Sequence, residues 1–392
     1  MDGCQSSGHP ASPGSGGAGG ASSAVAVGGQ GGDGQAGVGG QPAANGGAGA
    51  SAGAGAIVAE QWPPGLFGAL HGPAMAPLGA TAVIAYAGRS AQDTASPAEL
   101  RIQPIDSQGV RLGPPIARLG AGGEPSAPSV ASDGQRTLAC WATAGQTECV
   151  TSMPPSGELV PVYTGAGFTP AVVHGSGGWV VASRMGEDPS ALVVLQKLGP
   201  QFERLDEPTA FPSKAASPTR SASPFAIAAT ESGYVLVSGD PMRAQRLDGD
   251  LHVVGTAIDL GKVSLWSFIA LAAPATTIAL GLGKPYAATL TFVNAADQVT
   301  TVELSGGVKE GMPIGLAADR GTLAALWVAS SAGGQMPWHF QHPLDSAPTP
   351  TTGPSGSSWS LDTNLVLARV GDGFLAAFAQ TPQEIQVLRI GQ

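Results

Sequence analysis

Residues 128–141 read Pro-Ser-Val-Ala-Ser-Asp-Gly-Gln-Arg-Thr-Leu-Ala-Cys-Trp, and this stretch decides the fold. A run of small and apolar residues is followed by an Asp-Gly turn and a second apolar run, which predicts two strands joined by a tight turn. The same phrase returns at residues 313–327 and 365–378. Looser copies bring the total to about seven, at a period of roughly 40–50 residues with four short strands each, and this pattern is typical of a β-propeller.

We therefore predict an all-β, seven-bladed β-propeller, with six or eight blades as the alternatives. The last repeat stops at Gln392 without a fourth strand, whereas residues 56–60 look like a strand that has no blade of its own. An open seam between the first and last blades would expose unpaired strand edges, so we expect Ile57 and Val58 to pair beside Ile385–Ile390 and close the ring. The propeller then spans residues 56–392.

Residue size follows the predicted blade geometry. Space is tightest near the axis, and the first strands of the repeats carry small residues, namely Ser129, Ala131, Ala226, Ala228, Gly315 and Ala317. The second strands carry bulky residues, which we interpret as core between the blades: Tyr86, Trp141, Trp179, Tyr234, Trp327 and Phe374. Asp133, Asp319 and Asp372 are interpreted as turn-forming residues. The pattern places the first strand of blade one at Leu66–Leu70 and the outer strand of blade three at Phe202–Leu205.

Composition narrows the classes of partner. The chain of 392 residues has 18 Lys and Arg against 28 Asp and Glu, a net charge of −10. This balance repels phosphate backbones, so we expect no nucleic-acid partner. No stretch reaches the roughly 18 consecutive apolar residues that indicate a membrane-spanning helix. We therefore expect contact with a membrane only through a lipid anchor.

Two motifs resemble metal sites, but an ordinary strand and an ordinary turn account for them better. His339 and His342 stand three residues apart on a predicted strand, so their rings face opposite sides of the sheet. Asp248-Gly249-Asp250 lacks the further oxygen ligands that calcium requires, and its residues suit a hairpin turn. We predict no metal site and no cofactor.

The first 55 residues differ from the rest of the chain because they consist almost entirely of Gly, Ala, Ser and Gln. Such a tract cannot bury enough apolar area to offset its chain entropy, so we predict a disordered tether over residues 1–55. A Gly3-Cys4 start, a Gly/Ala/Ser tether and degenerate blades resemble, in layout, secreted bacterial β-propeller lipoproteins. That resemblance implies lipidation of Cys4. No apolar signal segment stands before Cys4 in this sequence, so an ordinary tail with a free thiol stays as the alternative.

The other two cysteines bear on the cellular compartment. If Ala144-Gly145 forms a two-residue hairpin turn, Cys140 faces Cys149 at a non-hydrogen-bonded position, where Cα atoms lie roughly 4.5 Å apart. That separation is at the short end of the disulfide range. We predict a cross-strand disulfide and therefore an extracytoplasmic protein, lipid-anchored at the cell surface or secreted. Two reduced, buried thiols are the alternative.

The sequence contains no nucleophile-turn, phosphate-loop or glycosidase motif, which favours a non-catalytic role. We predict a monomeric binding or scaffold module for a protein, peptide or glycan, recognised by the loops between second and third strands and between blades. The polar candidates on these loops are Arg89, Asp93, Arg184, Glu187, Asp188, Lys214 and Arg220, with Trp338 and Tyr286 as weaker stacking groups. The alternatives are a purely structural scaffold and a secreted carbohydrate-active hydrolase or lyase, which would need several carboxylates at the axial channel.

Overall fold

The structure is a computed structural model of the chain. The structure describes residues 57–61, 73–88, 99–119, 126, 128–152, 158–186, 191–213, 225–239, 241–261, 268–273, 277–284, 287–303, 314–319, 322–328, 338–343, 349–351, 365–381 and 384–390. Nowhere in these ranges is there a helix with the length and hydropathy needed to span a bilayer.

The described residues form seven antiparallel sheets of four strands each, which confirms the predicted seven-bladed β-propeller. From the axis outward, blade one consists of β2 (Ala74–Leu78), β3 (Thr81–Gly88), β4 (Glu99–Ile105) and β5 (Ile116–Leu119); blade two of β6 (Ser129–Ser132), β7 (Thr137–Thr143), β8 (Gln146–Ser152) and β9 (Val160–Ala166); and blade three of β10 (Phe168–Gly175), β11 (Gly178–Met185), β12 (Leu192–Leu198) and β13 (Thr209–Pro212). In the same order, blade four consists of β14 (Phe225–Ala229), β15 (Gly233–Ser238), β16 (Met242–Asp248) and β17 (Val253–Gly261), and blade five of β18 (Phe268–Ala272), β19 (Ile278–Lys284), β20 (Ala287–Val293) and β21 (Val299–Glu303). Blade six consists of β22 (Ile314–Asp319), β23 (Thr322–Val328), β24 (Trp338–Gln341) and β25 (Thr349–Thr351), and blade seven of β26 (Val366–Val370), β27 (Gly373–Thr381), β28 (Glu384–Ile390) and β1 (Ile57–Gln61). The first strand of every blade contacts the first strands of both neighbours, so these seven strands form a closed inner ring.

The ring is closed as predicted, by a strand from near the N-terminus. β1 pairs antiparallel with β28, and the register places Ile57 opposite Ile390 and Val58 opposite Arg389. Blade seven is therefore assembled from two distant parts of the chain. This arrangement covers the outer edge of β28, which would otherwise be left unpaired.

The hydrophobic core lies between the blades rather than within them. Each buried cluster of described residues combines side chains from adjacent blades. The six aromatic residues predicted as inter-blade core are all at most 1% exposed, which confirms that prediction. The hydroxyl group of Tyr234 in blade four also donates a hydrogen bond to the Gly178 carbonyl of blade three, at 2.8 Å.

Strand placements in blades one and three differ from the sequence prediction. The first strand of blade one is Ala74–Leu78, and the predicted Leu66–Leu70 lies outside the described residues. The outer strand of blade three is Thr209–Pro212, so its placement at Phe202–Leu205 was wrong. Phe202 instead lies in the preceding turn with a φ of 64°. A positive φ is usually predicted from a glycine in the sequence, and position 202 is a phenylalanine.

Connections alternate between the two faces of the propeller because consecutive strands of a blade run antiparallel. The short-turn face carries the turns between first and second strands and those between third and outer strands. The loop face carries the turns between second and third strands and the connections from one blade to the next.

A five-residue turn recurs on the short-turn face. In blades one, four and five, the side chain of Asp106, Asp248 or Asn294 accepts hydrogen bonds from the backbone N–H groups two and four residues later, at 2.8–2.9 Å. The structure thereby confirms that Asp248-Gly249-Asp250 forms a hairpin turn. An Asx side chain suits this position because it satisfies turn N–H groups that no strand partner reaches.

In blades three and four, the fourth residue of the turn packs against the preceding blade. Leu251 has a φ of 65° and is only 4% exposed among residues of blades three and four. Phe202, at the same position of blade three, is 7% exposed and packs against blade two. A left-handed backbone is costly for a leucine or phenylalanine. It persists here because the turn directs a large apolar side chain into the junction.

Cations also connect consecutive blades on the short-turn face. Lys197 of blade three pairs with Asp250 in the turn of blade four. Arg246 of blade four pairs with Asp297 in the turn of blade five, at 3.0 Å from Nε to Oδ1. Arg136 of blade two donates to the Pro200 carbonyl in the turn of blade three. At three successive junctions, a cation of one blade therefore donates a hydrogen bond to the turn of the next blade.

Candidate functional site

The structure describes one of the seven predicted binding residues, Arg184. The other six, Arg89, Asp93, Glu187, Asp188, Lys214 and Arg220, lie outside the described residues, as do Tyr286 and Cys4. The prediction that Trp338 is an exposed stacking group was wrong, because its side chain is 1% exposed and contacts Phe378. Trp338 begins the third strand of blade six, where the pleat directs it into the inter-blade core.

Arg184 lies near the loop-face end of β11, opposite Phe168 of β10. Phe168 is 51% exposed, although it belongs to the innermost strand of its blade. Its ring approaches Gly145 closely, since a Cβ atom built on that glycine would lie 3.3 Å from the Phe168 Cζ atom. The N–H group of Gly167 donates to the Gly145 carbonyl at 2.9 Å, which fixes the connection between blades two and three. We call Gly145, Gly167, Phe168, Thr169 and Arg184 the Phe168 patch.

Thr169 gives the Phe168 patch a strained backbone. Its φ is 45°, and the pairing of β10 with β11 shifts register between Phe168 and Ala171. The Thr169 Oγ1 atom is buried and makes no hydrogen bond to any described residue. A β-branched residue in the left-handed region is a genuine outlier, and such strain concentrates at binding and catalytic sites. Bulges likewise redirect side chains next to functional sites.

Gly167 lets the chain enter β10 closely packed against β11. It has a φ of 133°, and an added Cβ would lie 2.7 Å from the Cβ atom of Ser183. No other residue fits both the backbone and the space. The Ala166 carbonyl before it accepts a hydrogen bond from Ser183, and the Gly167 carbonyl accepts one from Thr147. The backbone on which Phe168 stands is therefore held from both blades.

The opposite end of β10, on the short-turn face, has a different chemistry. The ring of His174 is tilted against that of Trp179, with centroids 4.6 Å apart. Burial lowers the pKa of His174, while nearby Asp133 opposes that shift. Burial alone would raise the pKa of Asp133. Hydrogen bonds from the backbone N–H groups of Arg136 and Gln135 and from the Arg136 side chain outweigh burial and lower it. Asp133 thus forms the turn, as predicted, and also holds Arg136 at 2.8 Å.

The inner strands that surround the axis are poor in charge. Their seven sequences consist mainly of Ala, Val, Ile, Leu and Ser, and the charged residues among them are Asp319 and Arg369. The described ranges contain no group of three or more His, Cys, Asp or Glu side chains arranged to hold a metal ion. His339 stacks on Trp327 at 5.4 Å and His342 lies 5.0 Å from Phe374, so the two imidazole rings have different neighbours.

The predicted disulfide is present. The hairpin register pairs Thr143 with Gln146 and Cys140 with Cys149, and the two sulfur atoms are bonded with the Cα atoms 4.1 Å apart. Ala144 and Gly145 form the turn with φ values of 50° and 82°. Two consecutive positive φ values characterise the tight hairpin turn that matches the twist of the strands. The same turn presents Gly145 to Phe168.

Phe168 and Thr169 were missed from the sequence, which indicated a strand beginning only at Pro170. A usable signal was the Gly165-Ala166-Gly167 run directly before an aromatic residue. Two glycines around one small residue indicate a close backbone approach, and an aromatic residue next to such a turn is a candidate contact group.

No protein-family model matches the chain, and no curated protein matches its sequence. Solved structures share the fold. A putative 6-phosphogluconolactonase from Bacteroides fragilis matches with a TM-score of 0.52 and 10% identity, over 77% of this chain and 91% of that chain. Hydrazine synthase from Kuenenia stuttgartiensis matches with a TM-score of 0.50 and 15% identity, over 83% and 96%. TolB from Acinetobacter baumannii matches over 61% of this chain at 15% identity and a TM-score of 0.39, and the match spans 55% of TolB's own length. At these identities the lactonase and hydrazine synthase matches show the propeller fold alone.

Proposed function

We propose that the protein is a non-catalytic binding module that recognises a protein, peptide or glycan on the loop face of its propeller. The observation that carries this proposal is the exposed Phe168 beside the strained Thr169. Aromatic rings in exposed, rigid positions are preferred contact groups for protein and sugar ligands. Arg184, on the neighbouring strand, adds a planar cation that suits carboxylates and aromatic faces.

The rigidity of the Phe168 patch supports a binding role. Gly167 and its hydrogen bonds fix the backbone, and the Gly145 turn limits the movement of the Phe168 ring. A side chain that is ordered before binding loses less conformational entropy on contact with a ligand. The low charge of the inner strands favours binding over the alternative of a hydrolase or lyase, which needs converging carboxylates.

We further propose that this module works outside the cytoplasm, anchored through a lipid on Cys4 or secreted. The Cys140–Cys149 disulfide supports this location because structural disulfides are rare in reducing compartments. Mass spectrometry of the protein purified from its native host tests the anchor, since an acyl chain on Cys4 adds a defined mass. An unmodified Cys4 thiol would contradict the lipid anchor, and secretion would then be the form of the proposal that remains.

The binding proposal is tested with the full chain on glycan and peptide arrays, followed by variants against each ligand found. Phe168→Ala is expected to weaken binding by about tenfold or more, which corresponds to about 1.4 kcal/mol. Val254→Ala is the matched control, because this residue is 48% exposed on outer strand β17 and lies outside the Phe168 patch. Equal loss in both variants, or no loss in Phe168→Ala, would contradict recognition at the Phe168 patch. Release of cleaved glycan would support the hydrolase instead.

A further inference from the structure

Outer strand β21 lacks the proline, register shift or cation that is found on five other outer strands and that hinders pairing with another chain. Natural sheets protect open edges with proline, bulges, very short strands or charged side chains, especially lysine. Strands β9, β13 and β25 contain proline, β17 has two register shifts, and β5 is four residues long and carries Arg118. Of β1, the structure describes the backbone alone.

β21 is regular and exposed along its whole length. Its five residues, Val-Thr-Thr-Val-Glu, are all exposed, and Val299 and Val302 reach 42% and 46%. It pairs with β20 in an unbroken register from Val293 opposite Val299 to Thr289 opposite Glu303. The strand has high β-propensity and no proline, glycine or bulge. Its free edge is therefore a straight template for one more strand.

The register identifies the backbone groups that point outward. Asn294 N–H donates to the Gln298 carbonyl at 3.2 Å, so this pair is hydrogen-bonded. Pairs in an antiparallel ladder alternate, so Thr300 and Val302 are bonded to β20, whereas the N–H and C=O groups of Val299, Thr301 and Glu303 face away from it. The hydroxyl groups of Thr291 and Thr301 lie 3.1 Å apart, as expected for the close side chains of a non-hydrogen-bonded pair.

Charge indicates which chain fits this edge. Glu303 is the charged residue of β21, it is exposed, and no described residue forms an ion pair with it. The whole protein carries a net charge of −10. An approaching strand with a cation opposite Glu303 gains a cross-strand ion pair and is attracted over a longer range.

We propose that the free edge of β21 binds an extended peptide segment of a partner protein as a fifth, antiparallel strand of blade five. A Lys or Arg lies opposite Glu303, and an apolar β-branched residue lies opposite Val299. Backbone hydrogen bonds to Val299, Thr301 and Glu303 supply the affinity, and the side-chain pairs supply the preference. This site lies on an outer strand, so it is additional to the loop-face site proposed above and does not depend on it.

A second copy of this chain fits the edge less well. Symmetric pairing would centre on Thr301 and place each Glu303 against Val299 of the other copy, without a cation. Two chains that each carry −10 also repel. A five-residue ladder alone falls short of the roughly 1,200 Å² that stable protein interfaces bury. A short flexible segment needs no further contact surface to make the same backbone bonds.

The experiment uses the full chain and a labelled peptide of about nine residues with Lys, Thr and Val opposite Glu303, Thr301 and Val299. Fluorescence anisotropy measures affinity, and hydrogen exchange with mass spectrometry measures protection of β21. Binding with protection of the Val299, Thr301 and Glu303 amides is expected. Thr301→Pro should weaken binding by about tenfold or more, because it removes an outward N–H without breaking a bond to β20.

Two matched variants keep the proposal falsifiable if the proline variant is unstable. Thr301→Val retains the backbone and should bind within about twofold of the wild type. Glu303→Lys should weaken the lysine peptide and prefer a peptide with Glu in place of Lys, a reversal that a non-specific contact would not produce. No binding, unchanged preference in Glu303→Lys, or protection elsewhere would overturn the proposal. Self-association in the ultracentrifuge that Thr301→Pro abolishes would overturn it in favour of a second copy.

Discussion

The two ends of strand β10 differ in how their backbone and side chains are used. On the short-turn face, His174 is packed on Trp179, and Arg136 connects to the neighbouring blade. On the loop face, Phe168 is exposed and Thr169 has a strained backbone and a buried hydroxyl group without a hydrogen bond to the described residues. Positive φ values occur at both faces, but at Leu251 and Phe202 they direct side chains into the core. At Thr169 the strained backbone instead adjoins an exposed ring.

This contrast indicates a division of tasks between the faces. Strain on the short-turn face is offset by apolar burial at the junctions of blades two to four. Strain at Thr169 has no such compensation within the described residues, which is the pattern expected of a site kept for ligand contact. Substitutions on each face can test this division.

The largest effect is expected for Leu251→Ala on the short-turn face. Leu251 is 4% exposed, so truncation leaves a cavity at the junction of blades three and four, while the left-handed backbone stays unfavourable. The free energy of unfolding should fall by about 2–4 kcal/mol, measured by urea denaturation. Val253→Ala, at a side chain 55% exposed two residues later, should change it by less than about 0.5 kcal/mol. Similar changes in the free energy of unfolding for both variants would contradict a packing role for the turn.

The next effect concerns the disulfide in the hairpin whose turn contributes Gly145 to the Phe168 patch. Cys140→Ala with Cys149→Ala should lower the free energy of unfolding by about 2–3 kcal/mol, because the bond restricts the unfolded chain, and its sequence separation of only 9 keeps this effect small. Ligand affinity should fall less than in Phe168→Ala, since the hairpin retains its hydrogen bonds. Two free thiols besides Cys4 in the non-reduced wild-type protein would contradict both this expectation and the proposed location.

Thr169→Gly should change stability and binding in opposite directions. Glycine adopts the left-handed backbone without strain and removes the buried hydroxyl group, so the free energy of unfolding should rise by about 1 kcal/mol. Binding on the loop face should weaken because the bulge becomes mobile. Thr256→Gly in β17, where φ is not positive, serves as the control and should lose about 0.5–1 kcal/mol. A loss of stability in Thr169→Gly would show that the backbone there is not strained.

The smallest effect is expected for the polar contact between blades four and five. Arg246 and Asp297 are 21% and 46% exposed, so solvent screens their attraction. A double-mutant cycle with Arg246→Ala and Asp297→Ala should give a coupling energy below about 1 kcal/mol, decreasing with added salt. A coupling comparable to the Leu251 effect would mean that ion pairs, rather than apolar contacts, hold the junctions together.

The sequence alone determined the architecture of this protein. Turn residues and apolar runs are local features, so their repetition predicted seven blades, the closing strand at Ile57, the aromatic core between blades and the Cys140–Cys149 pairing. Hairpin counting succeeded for the cysteines because a two-residue turn leaves only one register.

The tertiary structure decided everything that depends on contacts between distant residues. The position of Phe202 in a turn, the burial of Trp338, the exposure of Phe168 and the strain of Thr169 each depend on packing between blades or strands. A residue's tendency to be buried does not reveal which side of its strand the neighbouring blade covers, and a left-handed threonine has no sequence signature. Local sequence preferences therefore predicted the scaffold. The two candidate binding surfaces, the Phe168 ring and the outer edge of β21, depend instead on which groups the folded chain leaves exposed.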